Sequence, residues 1–245
     1  MKILALTDTH CGFGPKTHLK LEKYFNMLKK DCEFDIIVHS GDWISHKQKQ
    51  WKTIFSIIRR VFPDIPIMGV MGNHDRWNYK GKHTSVAEWE KVTLQTWKDY
   101  RIRYLPNEPY ITDEVEIYGF DGWYQELDPP TNDKFQMKFT DPEIMRVFSK
   151  RSNDQATKAI ESLWDIGEKK KKIVVTHFNI YGQYREGHLI FGDTKLFQYL
   201  RGTADLVIEG HTHRPLDVKV DGTRIVNVGS DYEFPNFLIL DTENL

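Results

Sequence analysis

Short apolar stretches that stop abruptly at an aspartate, asparagine or histidine recur five times along this chain, and they constrain any fold it can adopt. Ile3-Leu4-Ala5-Leu6-Thr7 runs into Asp8-Thr9-His10, and Ile36-Ile37-Val38-His39-Ser40 into Gly41-Asp42. Ile67-Met68-Gly69-Val70-Met71 runs into Gly72-Asn73-His74-Asp75. Ile173-Val174-Val175-Thr176 ends at His177, and Leu206-Val207-Ile208-Glu209 leads into Gly210-His211-Thr212-His213. Brief β-branched runs bounded by glycine or polar residues read as buried strands. In open α/β sheets, ligands bind just beyond the carboxyl ends of strands. Five strand ends delivering Asp, Asn or His point to one shared site, which core packing or turn chemistry does not explain.

Between these runs lie amphipathic segments. Leu21, Tyr24, Phe25 and Leu28 fall at i, i+3, i+4, i+7, and Trp51, Ile54, Phe55 and Ile58 repeat the spacing. Ser85 to Glu88 is a capping box opening a helix with Val86, Trp89 and Val92. Asp141-Pro142 predicts an N-cap followed by proline at the first helical position. Ser152-x-x-Gln155 predicts the start of another helix, with Ala156, Ala159, Ile160, Leu163 and Trp164 on one face. Tyr110 to Phe120 reads as one strand, and Phe237 to Leu240 as another. Leu216–Val220, Asp221-Gly222 and Arg224–Val228 read as a hairpin with a type I′ turn. The expected architecture is α/β, with two sheets, one mostly parallel and one more antiparallel, and helices outside. Residues 121–141 are irregular, and fit either a substrate-side rim or a surface loop.

The 245 residues suit a single domain over 1–245, since no domain boundary is visible. With 34 basic and 35 acidic residues the net charge is −1, so no global field draws nucleic acid or membrane. No run approaches the roughly 20 apolar residues of a membrane helix. Residues 1–7 read as a strand rather than a signal segment, and two cysteines, Cys11 and Cys32, form no disulfide framework. The expected compartment is the cytoplasm. Cys11 follows His10 directly and is read as a bystander.

Asp, Asn and His are oxygen and nitrogen ligands suited to Mn²⁺, Fe, Zn²⁺, Co²⁺ or Ni²⁺. Asp8-x-His10 and His211-x-His213 each place two side chains on one side of an extended segment. With Asp42, Asn73 and His177 they make seven candidate ligands, too many for one ion. Two ions about 3.5–4 Å apart that share a carboxylate resolve the count. These strings, in this order, resemble the calcineurin-like metallophosphoesterase superfamily over residues 8–213. The resemblance implies a four-layer α/β/β/α sandwich of two mixed β-sheets flanked by helices. It implies two divalent metals, with Mn²⁺ placed first. Asp8, His10, Asp42 and His213 would hold one, and Asp42, Asn73, His177 and His211 the other, with Asp42 bridging. It further implies phosphate-ester hydrolysis by a metal-bridging hydroxide. His74 would be the catalytic histidine assisting the leaving group, and Asp75 its partner.

The protein serine/threonine phosphatase branch carries a longer signature after its Gly-Asp and ends its Asn-His string in Glu. Here the segment reads Gly41-Asp42-Trp43-Ile44-Ser45-His46-Lys47, and the second string ends in Asp75. The chain is more similar to the phosphodiesterase and nuclease branches. The expected substrate is therefore a phosphodiester, as a nucleotide, cyclic nucleotide or nucleic acid, with a phosphomonoester the alternative. A non-catalytic protein-binding scaffold on this fold is the third reading, and His74 with a full ligand set speaks against it.

Taken alone, Gly72 to Asp75 is good turn chemistry; beside the other four strings it reads as functional. His39, inside an apolar run, reads as a satisfied core histidine, and His18 and His83 as solvent-facing. His46 and His188 are candidates to approach the substrate. Among Lys47, Lys49, Arg76, Lys80, Lys82 and Arg185, Arg76 is the foremost candidate for an anion contact.

Overall fold

Along the first strand, neighbouring side chains go to opposite faces, as the pleat requires. Leu4 and Leu6 join one apolar cluster while Ile3 and Ala5 join another. Both faces are covered, which is why such strands read as unbroken apolar runs. The computed structural model describes residues 1–14, 16–45, 47–76, 85–122, 142–164, 170–181, 184–185, 188–189, 194–230 and 235–245, the side chains of 142–145, 184–185, 188–189 and 194–195 excepted.

In chain order the elements are β1 (Lys2–Leu6), α1 (Thr17–Asp31), β2 (Ile36–His39), α2 (Lys49–Val61), β3 (Ile67–Gly69), α3 (Asn73–Arg76), α4 (Val86–Asp99) and β4 (Ile102–Tyr104). There follow β5 (Tyr110–Ile111), β6 (Val115–Phe120), α5 (Pro142–Leu163), β7 (Lys171–Thr176), β8 (Tyr184–Arg185), β9 (His188–Leu189) and α6 (Thr194–Leu200). The chain then forms β10 (Leu206–Glu209), β11 (Leu216–Val220), β12 (Thr223–Asn227) and β13 (Leu238–Asp241).

One sheet has the order β13-β1-β2-β3-β4, parallel except for β13. The other has the order β11-β12-β10-β7-β6-β5, with a parallel centre and two antiparallel edges. Ile3, Ala5, Ile36, Val38 and Met68 of the first sheet meet Ile117, Ile173, Val175, Leu206 and Ile208 of the second in one buried cluster. Leu4, Leu6 and Ile37 face the other way, onto Leu21, Phe25, Ile54 and Phe55 of α1 and α2. Val174, Val207 and Ile225 face Ala156, Ile160 and Leu163 of α5 and Phe197 and Leu200 of α6. Helices, sheet, sheet and helices thus form the four layers. No helix among the described residues is long and apolar enough to cross a membrane.

Several local expectations need correction. Tyr110 to Phe120 is two strands folded on each other, with the Thr112 N–H donating to the Val115 carbonyl in the turn. Ser152 and Gln155 lie inside α5, which runs unbroken, so they open no helix. Gln155 instead spends its amide on the Asp121 N–H and the Tyr104 hydroxyl. Val92 and Trp164 are exposed, because α4 turns Trp89, Thr93 and Trp97 inward and α5 ends before Trp164. The cap at Ser85 holds: its hydroxyl accepts the Glu88 N–H at 3.2 Å. The hairpin holds as well, with φ of 48° at Asp221 and 89° at Gly222, as a type I′ turn needs. Asp141, His83 and residues 123–141 lie outside the described residues.

Candidate metal centre

Every candidate ligand sits just past the carboxyl end of a parallel strand, three strands from one sheet and two from the other. The strand ends are stitched together by backbone hydrogen bonds. Asp8 N–H donates to Gly41 O at 3.0 Å, His10 N–H to Asp42 O at 3.0 Å, and Gly210 N–H to His177 O at 3.0 Å. Five ligand candidates adopt left-handed backbone: Asp8 (φ 48°), His10 (40°), Asp42 (54°), His211 (68°) and His213 (55°). A left-handed non-glycine residue costs of order 1–3 kcal/mol and persists where its surroundings over-determine it. Five at one spot mark a site whose side-chain directions matter more than backbone comfort. Gly72 is needed for a different reason: a Cβ there would collide with the Asp42 carboxylate.

The ligand atoms form one continuous group. His10 Nε2 lies 3.7 Å from Asp8 Oδ1, 3.7 Å from Asp42 Oδ2 and 3.3 Å from His213 Nε2. His213 Nε2 is 3.4 Å from Asp8 Oδ1. On the other side, His177 Nε2 lies 3.4 Å from Asp42 Oδ2 and 3.0 Å from Asn73 Oδ1, which is 3.0 Å from His211 Nδ1. Asp42 Oδ2 therefore stands between the two halves. Three overlapping sets suit a cation: Asp8, His10 and His213; His10, Asp42 and His74; Asp8, Asp42 and His177. His74 thus lies beside the ligand group as well as in its sequence string.

The outer atoms of these side chains are pinned so that the inner atoms converge. Asp8 Oδ2 accepts the Thr7 hydroxyl at 2.6 Å and the His211 N–H at 3.1 Å, leaving Oδ1 buried without a hydrogen bond. Asp42 Oδ1 accepts the His74 N–H at 2.8 Å. His177 Nδ1 lies 2.9 Å from the Ser40 carbonyl, which turns Nε2 inward. Such outer partners set ring orientation in metal sites.

Charge in this pocket asks for a cation. Burial opposes ionisation of Asp8, but the nearby His10, His177 and His213 outweigh that and hold it at about 2. Asp42 is likewise kept well below the usual carboxylate range by His177 and His74, against burial. Burial disfavours a charged His177, yet Asp42 and Asp8 lift it to about 9. Burial drives His211 down to about 3, so its lone pair is available. Two buried carboxylates, an orphaned inward oxygen and four converging imidazoles fit divalent cations of the N/O-binding kind.

His74 and Asp75 part company. The Asp75 carboxylate accepts the N–H groups of Gly72 (2.8 Å), Ile44 (3.0 Å) and Trp43 (3.3 Å), so it fastens two loops together rather than orienting the imidazole. His74 Nδ1 lies 2.9 Å from the Ser45 carbonyl instead. The expected substrate contact from Arg76 is also corrected. Arg76 is 2% exposed, pairs with Asp121 and stacks over Phe148 at 4.5 Å from the ring centroid, so it faces the interior. His46 and the side chain of His188 lie outside the described residues. His39 is the satisfied core histidine expected, stacked on Trp43 and bonded to Thr9 Oγ1 at 3.1 Å. Cys11 is buried, and its thiol is in none of the three sets.

The sequence reading missed Asp121, Asn227 and Glu209. Asp121 accepts the Met71 N–H at 2.8 Å beside its pairing with Arg76, bracing the Asn73–His74 turn. Asn227 donates to the Gly210 carbonyl at 2.6 Å and bonds Thr212, shaping the His211–His213 loop. Glu209 accepts from Asn179 and from the Ile180 N–H, tying the segment after His177 to β10. Asp121 did carry the signal, since it follows the apolar end of β6 as Asp8 follows β1.

A family model described as calcineurin-like phosphoesterase matches residues 1–215. Among solved structures, the phosphopantetheinyl hydrolase of Mycobacterium tuberculosis is similar, with 17% identity and TM-score 0.68, over 98% of this chain and 96% of that one. A dimetal phosphatase from Danio rerio is similar at 11% identity and TM-score 0.65, over 98% and 91%. A putative 5′-nucleotidase from Staphylococcus aureus matches at 13% identity and TM-score 0.60, over 98% of this chain but 54% of that one, so this chain spans about half its length. These likenesses show the fold. Comparison with curated proteins gives no match.

Proposed function

The chain belongs to the calcineurin-like phosphoesterase family, whose work is metal-dependent phosphoester hydrolysis, and from that premise we propose that it is a two-metal phosphodiesterase. The observation that carries the reading is the unbroken group of seven ligand atoms with Asp42 Oδ2 at its middle. Asp8, His10, Asp42 and His213 would hold one cation, and Asp42, Asn73, His177 and His211 the other, with Mn²⁺ first among the candidate metals. Such cations would supply charge neutralisation of the phosphate oxygens and an activated water.

The chain's own residues do the rest. The Thr7, His211 and Ser40 contacts keep the ligands aimed inward before anything binds. His74, with Nδ1 against the Ser45 carbonyl, presents Nε2 to the leaving group. Burial lowers His74 to about 4, against the pull of Asp42, so the resting ring is neutral at pH 7.

Two features favour diesters. The serine/threonine phosphatase signature is missing after Asp42. Arg76, two residues after His74, is engaged by Asp121, so it does not help neutralise a monoester dianion. The whole of 1–245 is read as one catalytic domain. Substrates are phosphate esters, with nucleotides or nucleic acid as the arm.

The test is a metal-reconstituted assay on a phosphomonoester and a phosphodiester sharing one nitrophenyl leaving group. With Mn²⁺ supplied, diester turnover should at least equal monoester turnover, and chelation should abolish both. Monoesters turned over far faster than every diester would replace this reading with a phosphomonoesterase. No turnover with any metal would point to the scaffold.

A further inference from the structure

A buried histidine outside the ligand group joins the two loops that carry Asp8, His10 and Asp42. His39 closes β2, is fully buried and belongs to none of the three cation sets. The Gly41 N–H donates to its Nδ1 at 3.2 Å. A neutral imidazole that accepts at one nitrogen carries its proton on the other, so Nε2–H donates to Thr9 Oγ1 at 3.1 Å. The Thr9 hydroxyl in turn donates to the Trp43 carbonyl, also at 3.1 Å. The relay therefore runs in one direction, from Gly41 through His39 and Thr9 to Trp43.

Every residue it touches adjoins a ligand. Thr9 stands between Asp8 and His10, and Gly41 and Trp43 enclose Asp42. Asp8, His10 and Asp42 all have left-handed backbone, which persists only where neighbours hold it. The ring is itself fixed. It stacks on Trp43 with centroids 3.8 Å apart and planes 16° from parallel, and the Trp43 indole N–H is tied to the Val70 carbonyl at 2.9 Å. Gly69 of β3 packs so closely that a Cβ there would collide with the His39 carbonyl and the Trp43 ring. The ligands of the other cation position are held by different contacts. His177 Nδ1 is turned by the Ser40 carbonyl, Asn73 Oδ1 lies against His177 and His211, and the shared Asp42 keeps the His74 N–H on Oδ1.

We infer that His39 is a positioning residue: through Gly41 and Thr9 it sets the Asp8–His10 pair against Asp42, and so tunes the affinity of the cation position formed by Asp8, His10, Asp42 and His213 while sparing the other. The inference rests on the two-metal reading above and gives a core side chain a task within it.

The test uses two backgrounds that each leave one cation position complete. His211→Ala leaves Asp8, His10, Asp42 and His213, and His213→Ala leaves Asp42, Asn73, His177 and His211. Calorimetric Mn²⁺ titration of metal-free protein gives a Kd in each. Adding His39→Leu should raise Kd about tenfold in the first background, as loss of an outer partner does in metal sites, and leave it within about twofold in the second. His39→Gln, whose amide N–H takes the place of Nε2–H toward Thr9, should restore the Kd. Thr9→Val should reproduce the loss, and Thr9→Ser should not. Equal weakening in both backgrounds would mark the ring as structural and overturns the proposal. So does an unchanged Kd in the first, or a rise that His39→Gln leaves in place. If a background binds no ion, the two stepwise Kd values of His39→Leu alone decide: one raised and one unchanged supports the assignment, and any other pattern overturns it. Nitrogen-15 NMR of histidine-labelled, metal-free protein reads the relay without any cation. The His39 proton belongs on Nε2, and a proton on Nδ1 overturns the assignment. A wild type that binds a single Mn²⁺ sinks the two-metal reading, and the His39→Leu Kd for that ion still decides His39: a tenfold rise supports the positioning role, and an unchanged value overturns it.

Discussion

At the residue scale, the site works by pinning one atom of each side chain so that the other is offered. Asp42 gives Oδ1 to the His74 N–H and keeps Oδ2 between His10 and His177. Asp42→Ala should therefore lose metal from both positions, and elemental analysis should fall from two ions per chain toward none. Two tightly held ions in that variant would refute the shared carboxylate. His74 is assigned another job, so His74→Ala should keep its metal while kcat drops about 10²–10⁴-fold, the usual span for general acid–base help. The loss should shrink for a nitrophenyl leaving group, which departs with little need of a proton. If metal content falls together with kcat, His74 is a ligand.

At the element scale, helices and strands share the labour unequally. Strands buried on both faces carry apolar residues throughout and release their polar chemistry only at their carboxyl ends. Helices cover the outer faces, and their stability is partly local. α4 begins with Ser85 capping the Glu88 N–H, and losing such a cap costs about 1 kcal/mol. Ser85→Ala should lower the unfolding free energy read from a urea titration by that amount with the m-value unchanged, while Ser85→Asp should preserve it. α5 shows the reverse. Its interior contains a good capping string, yet Gln155 is drawn to Asp121 and Tyr104, and the helix runs on.

At the scale of the whole molecule, the layer between the two sheets is what makes the site. Asp8 Oδ2 accepts an N–H from His211, and His177 reaches Ser40, across 203 and 137 residues of chain respectively. Burying this cluster so thoroughly also makes the fold acid-sensitive. Burial holds His39 down at about 3, against about 6.5 for a free imidazole side chain. Between those values the unfolded chain binds the proton that the folded chain refuses, so stability falls as pH drops from 6.5 toward 3. The slope for one such group approaches about 1.4 kcal/mol per pH unit. The Tm of His39→Gln should accordingly fall less steeply than wild type between pH 6.5 and 4.5. Parallel Tm curves over that range would show that His39 does not carry the effect. Metal loss in acid affects both proteins and cancels in the comparison.

What the sequence determined by itself was the list of strands and the residue types at their ends. Both are local properties: a period-two run buried on two faces must be apolar, and a ligand must follow it within a few residues. That made the convergence of Asp8, His10, Asp42, Asn73, His177, His211 and His213 legible before any contact was known, and the two-sheet architecture with it. Only the tertiary structure decided where each side chain points. Arg76 is two residues from His74, yet one helical turn sends it inward to Asp121 and Phe148. Asp75 adjoins His74, yet its carboxylate goes to three backbone N–H groups. Ser45 serves His74 through a carbonyl that every residue possesses, and so leaves no mark in the sequence. In each case the partner comes from another segment of the chain, and a long-range pairing of common groups has no local signature to read.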